Sequence, residues 1–244
     1  MEVSLYQAAA AMDATAQWQD IIAENLSASS VPGSRKQEVT FSDVQAGADS
    51  NQTGGITLPT AQKVTNFQPG ELHVSGNSMD FALEGPGFFP VKTSTGQTAY
   101  TRDGEFQLNA KSQITTKQGD LVMANGAPIQ LDINNPGTLT VSANGNIAQG
   151  DVILGKLQTF EFKNPQQLVM TGSGLYSPPD STVAPTVSTN TKIRQGFLEA
   201  PNASPTAQMA SLITAMRLFE ANQKVMQLQG DRMSRTITDL TSNA

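Results

Sequence analysis

Apolar and polar positions fall into three textures along the chain. From position 3 to 26, Leu5, Ala8, Met12, Thr15, Gln19, Ile22 and Leu26 recur at alternating spacings of three and four, the period of one helix face. The stretch is rich in Ala and Gln, both good helix formers, and it runs without Pro or Gly until Pro32-Gly33 ends helical geometry. Thr15 and Gln19 are the two members of the series that are not apolar, so the seam is weakest at its middle. Residues 45–60 are polar, with Gly47, Gly54, Gly55 and Pro59, a loop or linker composition.

From 64 to about 199 the pattern changes to short β-like runs: Phe88 to Val91, Ala99 to Thr101, Leu121 to Met123, Leu139 to Val141 and Leu157 to Phe162. Asp103-Gly104, Asn125-Gly126 and Asn144-Gly145 are dipeptides that favour positive φ in tight turns. Their spacing predicts hairpins of an antiparallel sandwich or barrel, and the Pro/Ser/Thr stretch 178–190 reads as a loop.

The last segment carries the strongest pattern. Ser204 is an N-cap, Pro205 suits the first helical position, and a heptad seam then runs through Met209, Leu212, Met216, Phe219, Gln223, Met226, Gly230, Met233, Ile237 and Leu240. A narrow stripe sustained over this length predicts coiled-coil packing rather than a helix lying on a core, and its four methionines make the seam adaptable. The expected fold is therefore mixed and mainly β: a central antiparallel β domain with long N- and C-terminal α-helices pairing as a coiled coil. The expected boundaries are 1–36 and 203–244 for the helical assembly domain, 37–63 for a connecting segment and 64–202 for the β-rich domain. Leu5, Ala8, Met12, Ile22 and Leu26 on the first helix are the expected packing residues. On the last helix they are Met209, Leu212, Met216, Phe219, Met226, Met233, Ile237 and Leu240.

Charge refines this. The first helix holds Glu2, Asp13, Asp20 and Glu24 and no base, whereas the last holds Arg217, Lys224, Arg232 and Arg235 against Glu220, Asp231 and Asp239. Opposite balance favours pairing an N-terminal with a C-terminal helix. A net charge of −6 over 244 residues argues against a nucleic-acid partner, which needs a basic patch. No run of about 18 apolar residues is present, so membrane insertion is not expected. The N-terminal residues lack the basic region of a secretory signal, which fits a cytoplasmic chain or one exported without a cleaved signal.

Catalytic chemistry has little to build on. There is no Cys, and His73 is the one histidine, which excludes thiolate and multi-histidine metal sites. His73 alternates like a strand residue and has no nucleophile motif beside it. Asp103 and Glu105 flank Gly104 in an expected solvated turn, a poor setting for an acid–base pair, which needs one desolvated carboxyl. Asp132, Asn134 and Asn135 lack calcium-loop spacing, and Gly85-Pro86-Gly87 lacks the residues of a phosphate loop. No cofactor or metal is expected, and the chain is not expected to be an enzyme.

Several motifs together resemble one family. Ser4-Leu5-Tyr6 with Ala8, Ala9 and Met12, Ile22 to Leu26, and Pro32-Gly33 with Arg35 resemble the N-terminal helix and following turn of the bacterial flagellar axial proteins, the rod and hook branch. Asn77 to Leu83 and Gly85 to Val91 resemble that family's Asp-Leu-Ala and Gly-Phe-Phe-x-Val signatures. Ala99 to Phe106 resembles its Tyr-Thr-Arg-x-Gly-x-Phe segment. Gln195 to Ala200 and Arg217 to Asn222 resemble its Gln-Gly-x-Leu-Glu and Arg-x-aromatic-Glu segments. The departures are Ser27 and Ala28 for Ala-Asn, Val31 for Thr, Ser34 for an aromatic, Ser112 for a hairpin Gly, Gln208 for Glu and Met216 for Gln.

The resemblance implies a structural subunit of the rod that crosses the periplasm, exported by the flagellar type III apparatus. Its partners would be other copies of itself and neighbouring rod and hook axial proteins. Length and the Arg-x-Phe-Glu segment lean towards a proximal rod subunit, with a distal rod or hook-type subunit as the alternative. Two readings of other classes are a β module on a helical stalk that binds a surface, and a wall hydrolase using Asp103 and Glu105.

Overall fold

In the computed structural model the described residues are 2–46, 56–132, 137–172, 174–179 and 183–242. They form two compact units, 1–27 with 37–65 and 204–244, and 28–36 with 66–203. Among them no helix is long and apolar enough to cross a membrane.

The first unit holds helix α1 (Glu2–Ala28), strands β1 (Gln37–Ala46) and β2 (Ile56–Thr65), and helix α2 (Pro205–Ser242). The α2 helix starts where Ser204 and Pro205 predict, with the Gln208 N–H donating to the Ser204 carbonyl at 3.0 Å. The stretch expected as a connecting segment, 37–63, is instead most of an antiparallel ribbon, β1 against β2, in register from Gln37 opposite Thr65 to Ala46 opposite Ile56. Its glycines conceal this. Val39, Thr40, Phe41 and Val44 on one strand, and Ile56, Thr57, Thr60 and Val64 on the other, are β-branched or aromatic and favour extended backbone. Pro59 is tolerated because both strands of a two-stranded ribbon are edges. The Gly47, Gly54 and Gly55 part of the expected loop lies outside the described residues. Trp18 of α1 meets Phe41 of β1 edge to face at 5.9 Å between ring centroids, which fastens the ribbon to the helix.

The second unit is antiparallel throughout. A path of seven strands runs 169–170, 175–177, 98–101, 89–92, 121–124, 114–116 and 106–108. A three-stranded sheet (139–141, 146–149, 152–156) stands separately, and three ribbons pair 81–84 with 192–195, 72–74 with 197–199, and 160–161 with 186–187. The last of these places a strand inside 178–190, which composition marks as a loop.

Successive side chains alternate faces along a strand, and this explains the Phe88-Phe89 pair. Phe89 enters the main core with Phe81, Val91, Phe106, Ile114, Val122, Ile147 and Ile193. Phe88 joins a separate aromatic cluster with Tyr100, Phe162, Leu168 and Tyr176.

Of the expected turns, Asn125-Gly126 has positive φ at both residues, 49° and 80°, and Gly145 has φ 86°. Asp103-Gly104 is not a tight turn of that kind. The Gly104 carbonyl accepts the Phe81 N–H at 2.9 Å, and a Cβ at 104 would lie 1.5 Å from the Phe81 oxygen. The glycine is required for close backbone approach, and Asp103 beside it is buried.

Candidate functional site

The α2 helix presents different faces to the chain and to solvent. Its covered or half-covered positions are Gln208, Ser211, Leu212, Ala215, Phe219, Asn222, Met226 and Gln229, and Ala215 is 0% exposed. Hydrogen bonds join α1 to this face: Gln19 Nε2 donates to the Ala215 carbonyl at 3.3 Å and Asn25 Nδ2 to Gln208 Oε1 at 3.3 Å. The expected seam shares Leu212, Phe219 and Met226 with that face and is displaced by one residue elsewhere. Met209 and Met216 (50%) are exposed, beside the covered Gln208 and Ala215, and Met233 and Ile237 (57%) are exposed as well. The physical reason is closeness: small Ala215 and hydrogen-bonding Gln208 permit contact that a methionine would hold apart. The side chain of Leu240 lies outside the described residues.

On α1, Ala8 and Ile22 are buried and Leu5, Met12 and Leu26 half-buried. The two polar members of the α1 series are both engaged. The Thr15 hydroxyl bonds the Ala11 and Met12 carbonyls, each at 2.9 Å, and Gln19 reaches across to α2. Asn25 does more than its place in a helix end suggests: it donates to the Gln37 carbonyl and accepts the Gln37 N–H, both at 2.7 Å, so it ties α1 to the start of β1.

A second constellation, in the β unit, escaped sequence reasoning altogether. Arg35, Arg102 and Glu199 lie in three separate motifs yet meet in one buried cluster. Glu199 Oε1 accepts Arg35 Nη2 at 2.6 Å and the Gly70 N–H at 2.8 Å, and its Oε2 accepts Arg102 Nη1 at 3.2 Å. Arg35 is 1% exposed. Arg102 also donates to the Gly85 carbonyl and lies 5.2 Å over the Phe88 ring. Burial lowers its pKa, an effect the Glu199 charge opposes. Beside this cluster Asn202 knots the backbone: its Oδ1 accepts the Lys36 N–H at 2.6 Å, and its Nδ2 donates to the Asn66 and Gln68 carbonyls, both at 2.9 Å. Each of the three stands near other polar or charged residues, Lys36, Asp103 and Gln195 among them, so nothing in the spacing marks them as partners.

The residues weighed for catalysis are dispersed. His73 is exposed on strand 72–74, opposite Leu198. Asp103 is 5% exposed, and burial pushes its carboxyl up to about 6, with the charges of Glu105 and Asp80 adding to the rise and the bond from the Glu105 N–H and the Lys117 charge opposing it. Glu105 pairs with Lys117 at 2.7 Å. Asp103 is thus a desolvated carboxyl rather than the solvated one expected, but clefts of about 350, 470 and 310 Å³ are lined by other residues. Of the candidate calcium ligands, Asn134 and Asn135 lie outside the described residues. Among the described residues no group of three or more His, Cys, Asp or Glu is placed to hold a metal ion.

An antiparallel β unit carried with a helical unit whose long helix leaves eight large apolar side chains exposed among the described residues has the architecture of an assembly subunit. Comparison with known proteins gives the family. Residues 82–149 match the family model of the flagellar hook protein FlgE/F/G D1 domain, and residues 194–240 match that of the flagellar basal body rod FlgEFG protein C-terminal. The chain is 31% identical, over all of both chains, to a flagellar basal-body rod protein FlgF from Mesorhizobium japonicum. It is 30% identical to a FlgG of Borreliella burgdorferi over 92% of this chain and 93% of that one. With a FlgG of Buchnera aphidicola it shares 28% over 97% and 99%. The chain belongs to the flagellar basal-body rod protein family.

Proposed function

We propose that this chain is a structural subunit of the bacterial flagellar basal-body rod, of the proximal, FlgF type. The observation that carries the reading is the long α2 helix, with its large apolar side chains uncovered, in a member of the rod family. Burial of those side chains supplies the drive for assembly, at roughly 25 cal/mol per Å² removed from water. The terminal helices pack as coiled coils with those of other copies and of neighbouring rod and hook axial proteins. Leu212, Phe219 and Met226 contribute to the α1-facing side, and Met209, Met216, Met233 and Ile237 to contacts outward. The flagellar type III apparatus delivers the chain, and the finished rod stands in the periplasm.

Length supports the FlgF type. The alignment with the Mesorhizobium FlgF spans 245 positions against 244 residues here, whereas alignments with Buchnera FlgG proteins span 262 and 268 and therefore place extra residues in the relative.

Deleting the gene and imaging basal bodies in situ tests the proposal. The expected result is a rod that stops short with no hook beyond it, the stopping level marking the proximal position. A complete rod and hook in the deletion strain would overturn it.

A further inference from the structure

Sulfur is carried in this chain by 9 methionines and no cysteine. Where thiols are absent, the thioethers are the sulfur that a peroxide meets, and exposure decides which react first. Among the described residues the exposed methionines are Met209 (52%), Met216 (50%) and Met233 (37%), and all three lie on α2. Met12, Met79, Met123, Met170 and Met226 are half-buried. Of these, Met79 and Met170 pack against the two cores of the β unit. The exposed three are not scattered. Met209, Ile213 and Met216, spaced four and three, form an uncovered apolar ridge that Glu220, exposed one turn further on, closes with a charge. Met233 and Ile237, four apart and both exposed, form a second.

We propose that Met209, Met216 and Met233 are a modification site: in the free chain a peroxide oxidises their thioethers to sulfoxides and thereby blocks assembly. The inference rests on the rod reading, since it supplies a regulation of the face that assembly buries. In the step the sulfur attacks one peroxide oxygen, the O–O bond breaks and an S–O bond forms. Sulfur gives up two electrons, and with hydrogen peroxide the displaced hydroxide takes the remaining proton and leaves as water. A polar sulfoxide then stands in place of a flexible apolar side chain. On the free helix water solvates the new S–O group. In an assembled rod it would be buried without a dedicated donor and would oppose the contact. Burial in the rod in turn shields the thioethers, so the switch acts on chains awaiting assembly. Reductases that return sulfoxide to thioether restore them.

Hydrogen peroxide on the dilute full-length chain, with oxidation followed by peptide mass spectrometry, tests the site. Met209, Met216 and Met233 are expected to convert several-fold faster than Met79, Met123 and Met170, and equal rates would overturn the proposal. The consequence is read in the deletion strain complemented with the wild-type gene, with Met209→Leu, Met216→Leu and Met233→Leu together, or with Met123→Leu. Leucine keeps the size and apolar character of each site and has no sulfur to oxidise. Under a sublethal peroxide pulse, new rods counted in situ should fall on the order of tenfold with the wild type and with Met123→Leu. With the triple variant they should stay at the number seen without the pulse. Equal loss in the wild type and the triple variant would overturn the proposal, as would no loss in either. If the triple variant builds no rods even without peroxide, overproduced methionine sulfoxide reductases in the wild-type strain take its place: recovery of the rod count is expected, and no recovery overturns the proposal. The parent strain separates the two levels. If the deletion keeps complete rods, the rod reading fails whatever the peroxide does; if it lacks rods and all complemented strains respond alike to the pulse, only the redox proposal fails.

Discussion

Asp103 sits in surroundings that oppose its charge, and this gives its burial a pH signature. Its carboxyl is raised from 3.8 to about 6, chiefly by burial. Between those values the folded chain holds a proton that the unfolded chain has released, so stability falls as pH rises through the window, and above it the penalty is complete. The size is on the order of 2–3 kcal/mol. Asp103→Asn keeps an oxygen to accept the Glu105 N–H, a 3.0 Å bond in the native chain. The variant is expected to be about 1–3 kcal/mol more stable at pH 7 and to lose the slope between pH 4 and 6, measured by urea unfolding across that range. Ser112 stores a different strain, with φ 59° in the left-handed region that favours glycine. Ser112→Gly should stabilise by about 0.5–1 kcal/mol, the relief of a left-handed backbone offset in part by glycine's larger unfolded entropy, read as a higher melting temperature of the β unit. Glu199→Gln should act oppositely. It leaves two buried guanidinium groups without their counter-charge and should cost about 3–5 kcal/mol in chemical denaturation.

The elements differ in how far the sequence reveals them. Both long helices are legible because a helical period is carried by many residues at once, and the antiparallel character of the middle because turn dipeptides such as Asn125-Gly126 and Asn144-Gly145 separate short β-like runs. The β1–β2 ribbon is not, because polar composition and glycines dominate the stretch while its pairing is made by β-branched residues spread over two strands. The α2 seam is legible at Leu212, Phe219 and Met226 but displaced at alternate positions. Apolar periodicity marks the methionines, whereas the covered face is chosen by the small Ala215 and by hydrogen-bonding Gln208. The Arg35–Arg102–Glu199 cluster was invisible because its members are brought together by tertiary folding rather than spacing. The ribbon's attachment can be tested directly, since a two-stranded ribbon is marginal alone and this one leans on the Trp18–Phe41 contact. Phe41→Ala removes an aromatic pair worth about 0.5–1.5 kcal/mol beyond its buried area. Trp18 is the single tryptophan in the chain, so its emission should shift to the red, while the melting of the β unit stays unchanged.

At the scale of the whole molecule, order is unevenly shared between the two units. The β unit has its own clusters, one around Phe81, Phe89 and Phe106 and another around Phe88, Tyr100 and Tyr176, together with a buried ion network. The helical unit has far less to hold it. The α2 helix has 38 residues against 27 in α1, a difference of about 16 Å at 1.5 Å per residue, and Met233 and Ile237 near its far end are uncovered. A helix draws most of its stability from packing an apolar face, and α2 packs only part of its own within the chain. In a dilute monomer, amides of residues 209–240 should therefore exchange within a small fraction of the time taken by strand 89–92, and most rapidly beyond Met226. In assembled protein the same amides should become protected, because neighbouring subunits then bury the exposed side chains and offset the entropy of ordering. Hydrogen exchange on both states measures this. Strong protection of 209–240 in the monomer would mean that the helix is held by its own chain, and the uncovered methionines would then lose their role as the drive for assembly.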